Sequence, residues 1–132
     1  MIRRAPSLFR DETGGAVIEM AIAVPILVTM LYAIFQIGMI FEAQAGMQHA
    51  LGEAARMATI YPTPSDTAIQ NKITSTKFGV SKGTWGTPTI DNTNLASGYK
   101  VITVTYTVPV NFLFSRRRTI SLTKSKRVYV SA

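Results

Sequence analysis

From Met20 to Phe41 the chain runs for 22 residues without a charged side chain, and nearly all of them are apolar. At about 1.5 Å rise per residue such a run extends ~33 Å as a helix, close to the hydrocarbon thickness of a bilayer. The competing reading is a core helix of a soluble domain, but such helices seldom run this long without a charged face. The run therefore reads as a single membrane span. Its exceptions are Thr29 and Gln36, whose side chains can bond along their own helix or to a neighbour, and Pro25. That proline removes one backbone hydrogen bond and predicts a kink.

Glu19, at the mouth of the span, is the anomaly, because a carboxylate in an apolar segment costs free energy and calls for compensation. Two readings stay open. Glu19 lies at headgroup level or pairs with Arg10; or it meets a cation that appears only after processing. Gly14 and Gly15 sit just upstream, behind a leader that carries Arg3, Arg4 and Arg10. Cutting between the two glycines makes Glu19 the fifth residue of a chain with a new amine at Gly15. Acid and amine then stand about one helical turn apart, and the acid of one subunit can neutralise the amine of the next when helices stack with an axial offset.

In this stretch the chain resembles the TadE-like minor pilins, or pseudopilins, of the tight adherence pilus. The resemblance lies in Gly14-Gly15, in Ala16-Val17-Ile18-Glu19-Met20-Ala21 opening the apolar helix, and in Pro25 within it. It continues through Gln44-Ala45-Gly46-Met47-Gln48-His49-Ala50 to Glu53-Ala54-Ala55-Arg56, and so covers about the first 60 residues. It implies that a membrane-embedded aspartic prepilin peptidase cuts after Gly14. The doubled glycine leaves the bond open by one residue, and a cut after Gly15 puts Glu19 fourth instead of fifth. It also implies that Glu19 matters more to assembly than to cutting. The implied neighbours are the major pilin, a second TadE-like protein, an inner-membrane platform and a secretion ATPase acting from the cytoplasm.

Three expected segments follow: a cytoplasmic leader over 1–14, removed on processing; a helix over 15–59 with its span at about 20–41; and a small extracytoplasmic domain over 60–132. The three leader arginines lie close enough to the span to stay cytoplasmic, so the remainder is expected outside the inner membrane or within a pilus. An ordinary secretory signal competes, since Ala43-Gln44-Ala45 forms a small-x-small site. Signal h-regions are about 7 to 15 residues, however, and here the helical pattern continues through the supposed cut. The formal net charge is +7, and losing a leader with three arginines against Asp11 and Glu12 leaves +6. That surplus suits anionic headgroups, acidic partners or nucleic acid without choosing among them. There is no cysteine, which excludes disulfides, thiolate metal sites and a cysteine nucleophile.

Beyond the span the helix turns amphipathic, with Ile40, Ala43, Met47, Ala50, Ala54 and Ala58 recurring at three- and four-residue steps. Small and pliable groups of this kind permit close approach, either of the chain's own domain or of other pilin subunits. Tyr61-Pro62-Thr63-Pro64 ends the helix. Ser65 and Asp66 offer an N-cap to a second helix reaching about Thr76, with Ile69 and Ile73 on one face. Thr87 to Asp91 reads as a brief edge strand, and Trp85 as a cap on the core or else as a side chain exposed for binding, with the core favoured for a lone tryptophan. One carboxylate in Asp91-Asn92-Thr93-Asn94 is too few for a calcium loop.

Tyr99 to Val110 alternates Ile102, Val104, Tyr106 and Val108 with Val101, Thr103, Thr105 and Thr107, the pattern of a strand with one face in the core. Pro109 and Phe112-Leu113-Phe114 are expected to end it, and Thr119 to Val130 reads as its antiparallel partner. The fold class is thus α+β: a long transmembrane helix running into a small domain with a short helix and an antiparallel sheet of about three strands. Arg116, Arg117 and Arg118 read as a solvated turn, or else as a contact patch for headgroups or an acidic ligand. Aromatics and arginines here are blocked, not interleaved, and no nucleic-acid motif accompanies them, so no specific nucleic acid is expected. His49 is the only histidine, with no nucleophile elbow, phosphate loop or zinc motif. No enzyme activity and no cofactor or metal are expected. The remaining alternative to a pilin-like subunit is an uncleaved single-pass protein whose basic outer domain binds an anionic ligand.

Overall fold

The computed structural model describes residues 12–80, 82–111 and 118–130. Helix α1 spans Glu12–Ala58 as one uninterrupted element of 47 residues. Its last carbonyls are satisfied locally, the Thr59 hydroxyl donating to Arg56 (2.8 Å) and the Ile60 amide to Met57 (3.2 Å). Helix α2 spans Asp66–Thr76 and starts where the sequence places a cap: the Ser65 hydroxyl accepts from the Ala68 amide at 3.2 Å. Strands β1 (Thr84–Trp85) and β2 (Thr89–Asp91) are short, a single 3₁₀ turn covers Leu95–Ser97, and β3 (Tyr99–Val110) and β4 (Arg118–Tyr129) are each 12 residues long.

All four strands form one antiparallel sheet, only three columns wide. β3 is the middle column and pairs with β4 along its whole length, from Tyr99 opposite Tyr129 to Val110 opposite Arg118. β1 and β2 lie end to end on the other edge of β3, β1 at Tyr106–Thr107 and β2 at Val101–Thr103. The expected edge strand is therefore present, shortened to Thr89–Asp91, and β1 had no signal beyond Trp85. Pro109 does not end β3. Beyond Thr107 no described strand covers that edge of β3, so a residue without an amide proton is accommodated there.

β3 alternates buried and half-buried residues without a break, and its buried face meets α1 and α2. Ile69 and Ile73 of α2, Ile102, Val104 and Tyr106 of β3, and Met47 of α1 form the centre. Each such apolar side chain contributes about 1.5–3 kcal/mol by leaving water. Trp85 packs at the margin of this core, its ring 6.3 Å from that of Tyr106. Burial pushes the Tyr106 phenol up, while the Gly83 and Lys82 amides donate to its oxygen and partly offset that shift.

Two close approaches tie the domain to α1. A Cβ on Gly46 would stand 2.0 Å from the Phe78 carbonyl oxygen, so the segment after α2 crosses the helix where there is no side chain. Gly79 follows with φ +66, a left-handed conformation that glycine adopts without a Cβ clash. β3 runs back along α1. Its Asn111 end meets Gln36, and the Lys124–Lys126 stretch of β4 forms a groove with Gln48 and Leu51.

Candidate functional site

Along α1 the environment changes at Gln36. Before it, the helix is uncovered: Ile22, Ile26 and Ile34 are 61, 64 and 58 % exposed. The Gly14–Ala58 part of the helix contains an 18-residue window of mean hydropathy 2.2, none of it buried. By length and composition this helix can cross a membrane. A water-exposed apolar surface of this size is not a stable end state, and among the described residues nothing in the chain covers it.

Gly14 and Gly15 lie inside the first turns of α1 with open space about both. Within the described residues the helix is already formed at Glu12, ahead of the glycines. Glu19 follows Gly15 by four residues, on the exposed stretch, and forms no ion pair among the described residues. Arg10 lies outside the described residues. Pro25 is accommodated within the continuous helix, and the Thr29 hydroxyl donates to its carbonyl at 2.7 Å. Pro25, Ile26, Thr29, Met30 and Ala33 line a shallow, wholly apolar notch on this face.

Beyond Gln36 the helix belongs to the domain. Ala43, Met47, Ala50, Ala54 and Ala58 are at most 1 % exposed and Ile40 packs against them, all in one cluster with α2 and the sheet. The chain's own domain occupies this stripe. Exposed side chains on other sides of the same segment include Phe41, at 64 %, and Gln48, His49 and Arg56. The His49 ring lies against that of Phe78, with centroids 5.6 Å apart and planes tilted by 54°.

The one buried cation of the described residues is Lys100, 5 % exposed on the core face of β3. Its Nζ lies 2.9 Å from Asp66 Oδ1, and the Asn92 amide donates to the other oxygen at 2.6 Å. Asp66, the first residue of α2, is therefore a bolt between the start of that helix and the start of β3. The Lys100 hydrogen bond, with help from Asn92, holds its carboxyl below the usual aspartate range against the opposing effect of burial. Asp91 is also lowered, by the hydroxyl and amide of Thr93.

Arg118 opens β4 and is exposed, as are Lys126 and Arg127 further along, with Lys124 half-buried. Arg116, Arg117 and Phe112-Leu113-Phe114 lie outside the described residues. Among the described residues, no group of three or more histidine, cysteine or acidic side chains is placed to hold a metal. The least foreseen contact is that of Gln36, 5 % exposed, whose Nε2 donates to the Asn111 carbonyl at 2.5 Å. Its only sequence signal is an amide within an apolar run.

No curated protein and no solved structure matches the chain. Residues 14–56 match a family model described as TadE-like protein, roughly a third of the chain. The match holds the glycine pair, Glu19, the uncovered span and most of the stripe, so the amino-terminal helix that organises this molecule is similar to that of TadE-like proteins.

Proposed function

We propose that this protein is a structural subunit of a tight adherence pilus machine, a minor pilin or pseudopilin anchored by α1. The observation that carries the reading is the uncovered apolar half of α1, continuous with a half that is built into a folded domain. An element of that kind joins a lipid phase, or a bundle of like helices, to an aqueous domain. The TadE-like match over the same helix supplies the pilus context.

In this reading the leader 1–14 is cytoplasmic, residues 60–132 are extracytoplasmic, and a prepilin peptidase cuts after Gly14. The new Gly15 amine is neutralised by Glu19 of an adjacent helix. The Pro25 notch and the exposed apolar face meet other pilins, including the major pilin and a second TadE-like protein, or the membrane platform. The role is one of assembly, with no catalysis by this chain. Intact mass of the membrane-extracted protein tests it. The expected species starts at Gly15, and a chain that keeps Met1 overturns processing. Glu19→Ala is expected to abolish assembly and to leave cleavage in place.

A second reading has its own observation: β4 carries Arg118, Lys124, Lys126 and Arg127 with no acid, beside the groove at Gln48 and Leu51. It makes the chain an uncleaved single-pass protein that captures an anionic ligand. It predicts an intact Met1 and salt-sensitive binding lost when Arg116, Arg117 and Arg118 are changed together.

A further inference from the structure

We propose that the end of the β3–β4 pair nearest Gln36, marked by Asn111 and Arg118, rests in the phospholipid headgroup layer. The outer edge of the hydrocarbon then lies at Gln36, not at Phe41, which draws Glu19 inside the hydrocarbon on the opposite side. The inference rests on the membrane-anchored reading of α1 and adds the depth at which the chain sits.

Gln36 Nε2 donates to the Asn111 carbonyl, and this fixes the end of β3 level with residue 36 of the helix. β4 begins beside it, Arg118 pairing with Val110. Apolarity alone puts the edge of the span at Phe41, five residues further on, or about 7.5 Å along the axis. With the edge there, the sheet end would be carried the same distance into lipid.

That placement is costly in two separate ways. Among the described residues β4 pairs with no strand but β3, so its outer backbone groups at Thr119 and beyond would lose water with no neighbouring strand to replace it, at several kcal/mol for each unsatisfied group. Arg118 is exposed and would enter the hydrocarbon with them, whereas an arginine among headgroups meets phosphate. Retaining Ile37 and Phe41 in the headgroup zone costs far less, because that zone adds about 5–8 Å on each side of the ~30 Å core and tolerates single apolar side chains. The domain therefore sets the outer boundary.

Counting back ~20 residues from Gln36 places the hydrocarbon over about 16–35. Its midpoint moves from near Met30–Leu31 to near Pro25–Ile26. Gly15 comes to the inner boundary, and Glu19 lies about 5 Å inside it. A carboxylate at that depth is short of water, and an amine at the boundary level would offset the cost of its charge.

The chain has no cysteine, so single-cysteine variants report position directly. Ile22→Cys, Ile26→Cys, Met30→Cys, Ile34→Cys and Ile37→Cys all fall on exposed sites outside the core. Each is labelled with an environment-sensitive fluorophore, and the full chain is reconstituted in phosphatidylethanolamine/phosphatidylglycerol vesicles. Lipids carrying a quencher at the acyl terminus should quench Ile26→Cys most strongly and Ile37→Cys severalfold less. A maximum at Met30→Cys, with Ile26→Cys and Ile34→Cys alike, overturns the proposal. Thr119→Cys, labelled in the same way, should be quenched by a headgroup-borne quencher and Ser97→Cys, at the far end of the sheet, should not. Equal response of the two overturns the docking. If no position responds to the acyl quencher, the chain is not in the bilayer, and the anchored reading falls together with this one.

Discussion

The two halves of α1 are built from the same kinds of residue and meet opposite fates. Residues 14–35 expose nearly every apolar side chain, whereas the stripe from Ile40 to Ala58 is sealed under α2 and the sheet. Apolar content does not separate them. Size does: the first half carries Ile, Leu, Val and Phe around its circumference, and the second puts Ala, Gly and Met on one side. Large side chains all round suit a fluid apolar solvent, while small ones allow another backbone to come close. A single helix can thus be written half in the language of lipid and half in that of a folded core.

The comparison breaks most readily where charge is placed on the first half. Ile26→Arg with Met30→Arg alters two exposed residues that hold nothing in the domain, and at about 2.5–3.5 kcal/mol for each central arginine the pair should abolish membrane retention. Fractionation checks this, and the domain's urea midpoint, followed through the fluorescence of Trp85, should stay put. An unchanged membrane fraction would remove the distinction between the halves.

The same substitution at two glycines of α1, one under the domain and one clear of it, should give a smaller but sharper contrast. Gly46→Ala forces a methyl against the Phe78 carbonyl and is expected to destabilise the domain by about 2–3 kcal/mol. Gly38→Ala meets open space on the same helix and should be neutral or stabilising by up to ~1 kcal/mol. Urea denaturation in detergent measures both.

Asp66→Asn tests how the domain is closed beyond the helix. It leaves Lys100 buried without its counter-charge; since Asp66 is itself partly exposed, the expected cost is about 1–2 kcal/mol. The folded-state pKa of Asp66 lies below its ordinary 3.8. Its contribution is therefore present above that value and is lost as pH falls through the lower, folded one. Acid titration of stability should be shallower in the variant below about pH 4. The smallest effect is expected at the exposed Arg56–Glu53 pair, 3.4 Å apart on α1, where Arg56→Ala should cost less than ~0.5 kcal/mol.

Much of this fold was legible because its signals are local. Tyr99 to Val110 shows a period of two, and it is a strand over that range with the predicted face inward. Ser65 and the Ile69–Ile73 spacing marked α2, and the proline pair marked the end of α1. The remainder depended on partners distant in sequence. β1 is two residues long and exists only because Thr107 and Tyr106 lie opposite it. Lys100 looks like a surface lysine until Asp66, 34 residues away, closes on it. Gln36 is an isolated amide until the end of β3 arrives, 75 residues later. Of the candidate site, the glycine pair, Glu19 and the stripe are named from sequence as candidates, but whether the chain's own domain or another subunit meets the stripe could not be read there.

Extraction of bacterial membranes with alkaline carbonate tests the division of α1 most directly, since it strips proteins held by surface contacts and leaves those held in lipid. The account predicts that the full chain stays in the membrane pellet. Its release into the supernatant as a folded protein would contradict the claim that the first half of α1 is covered by lipid.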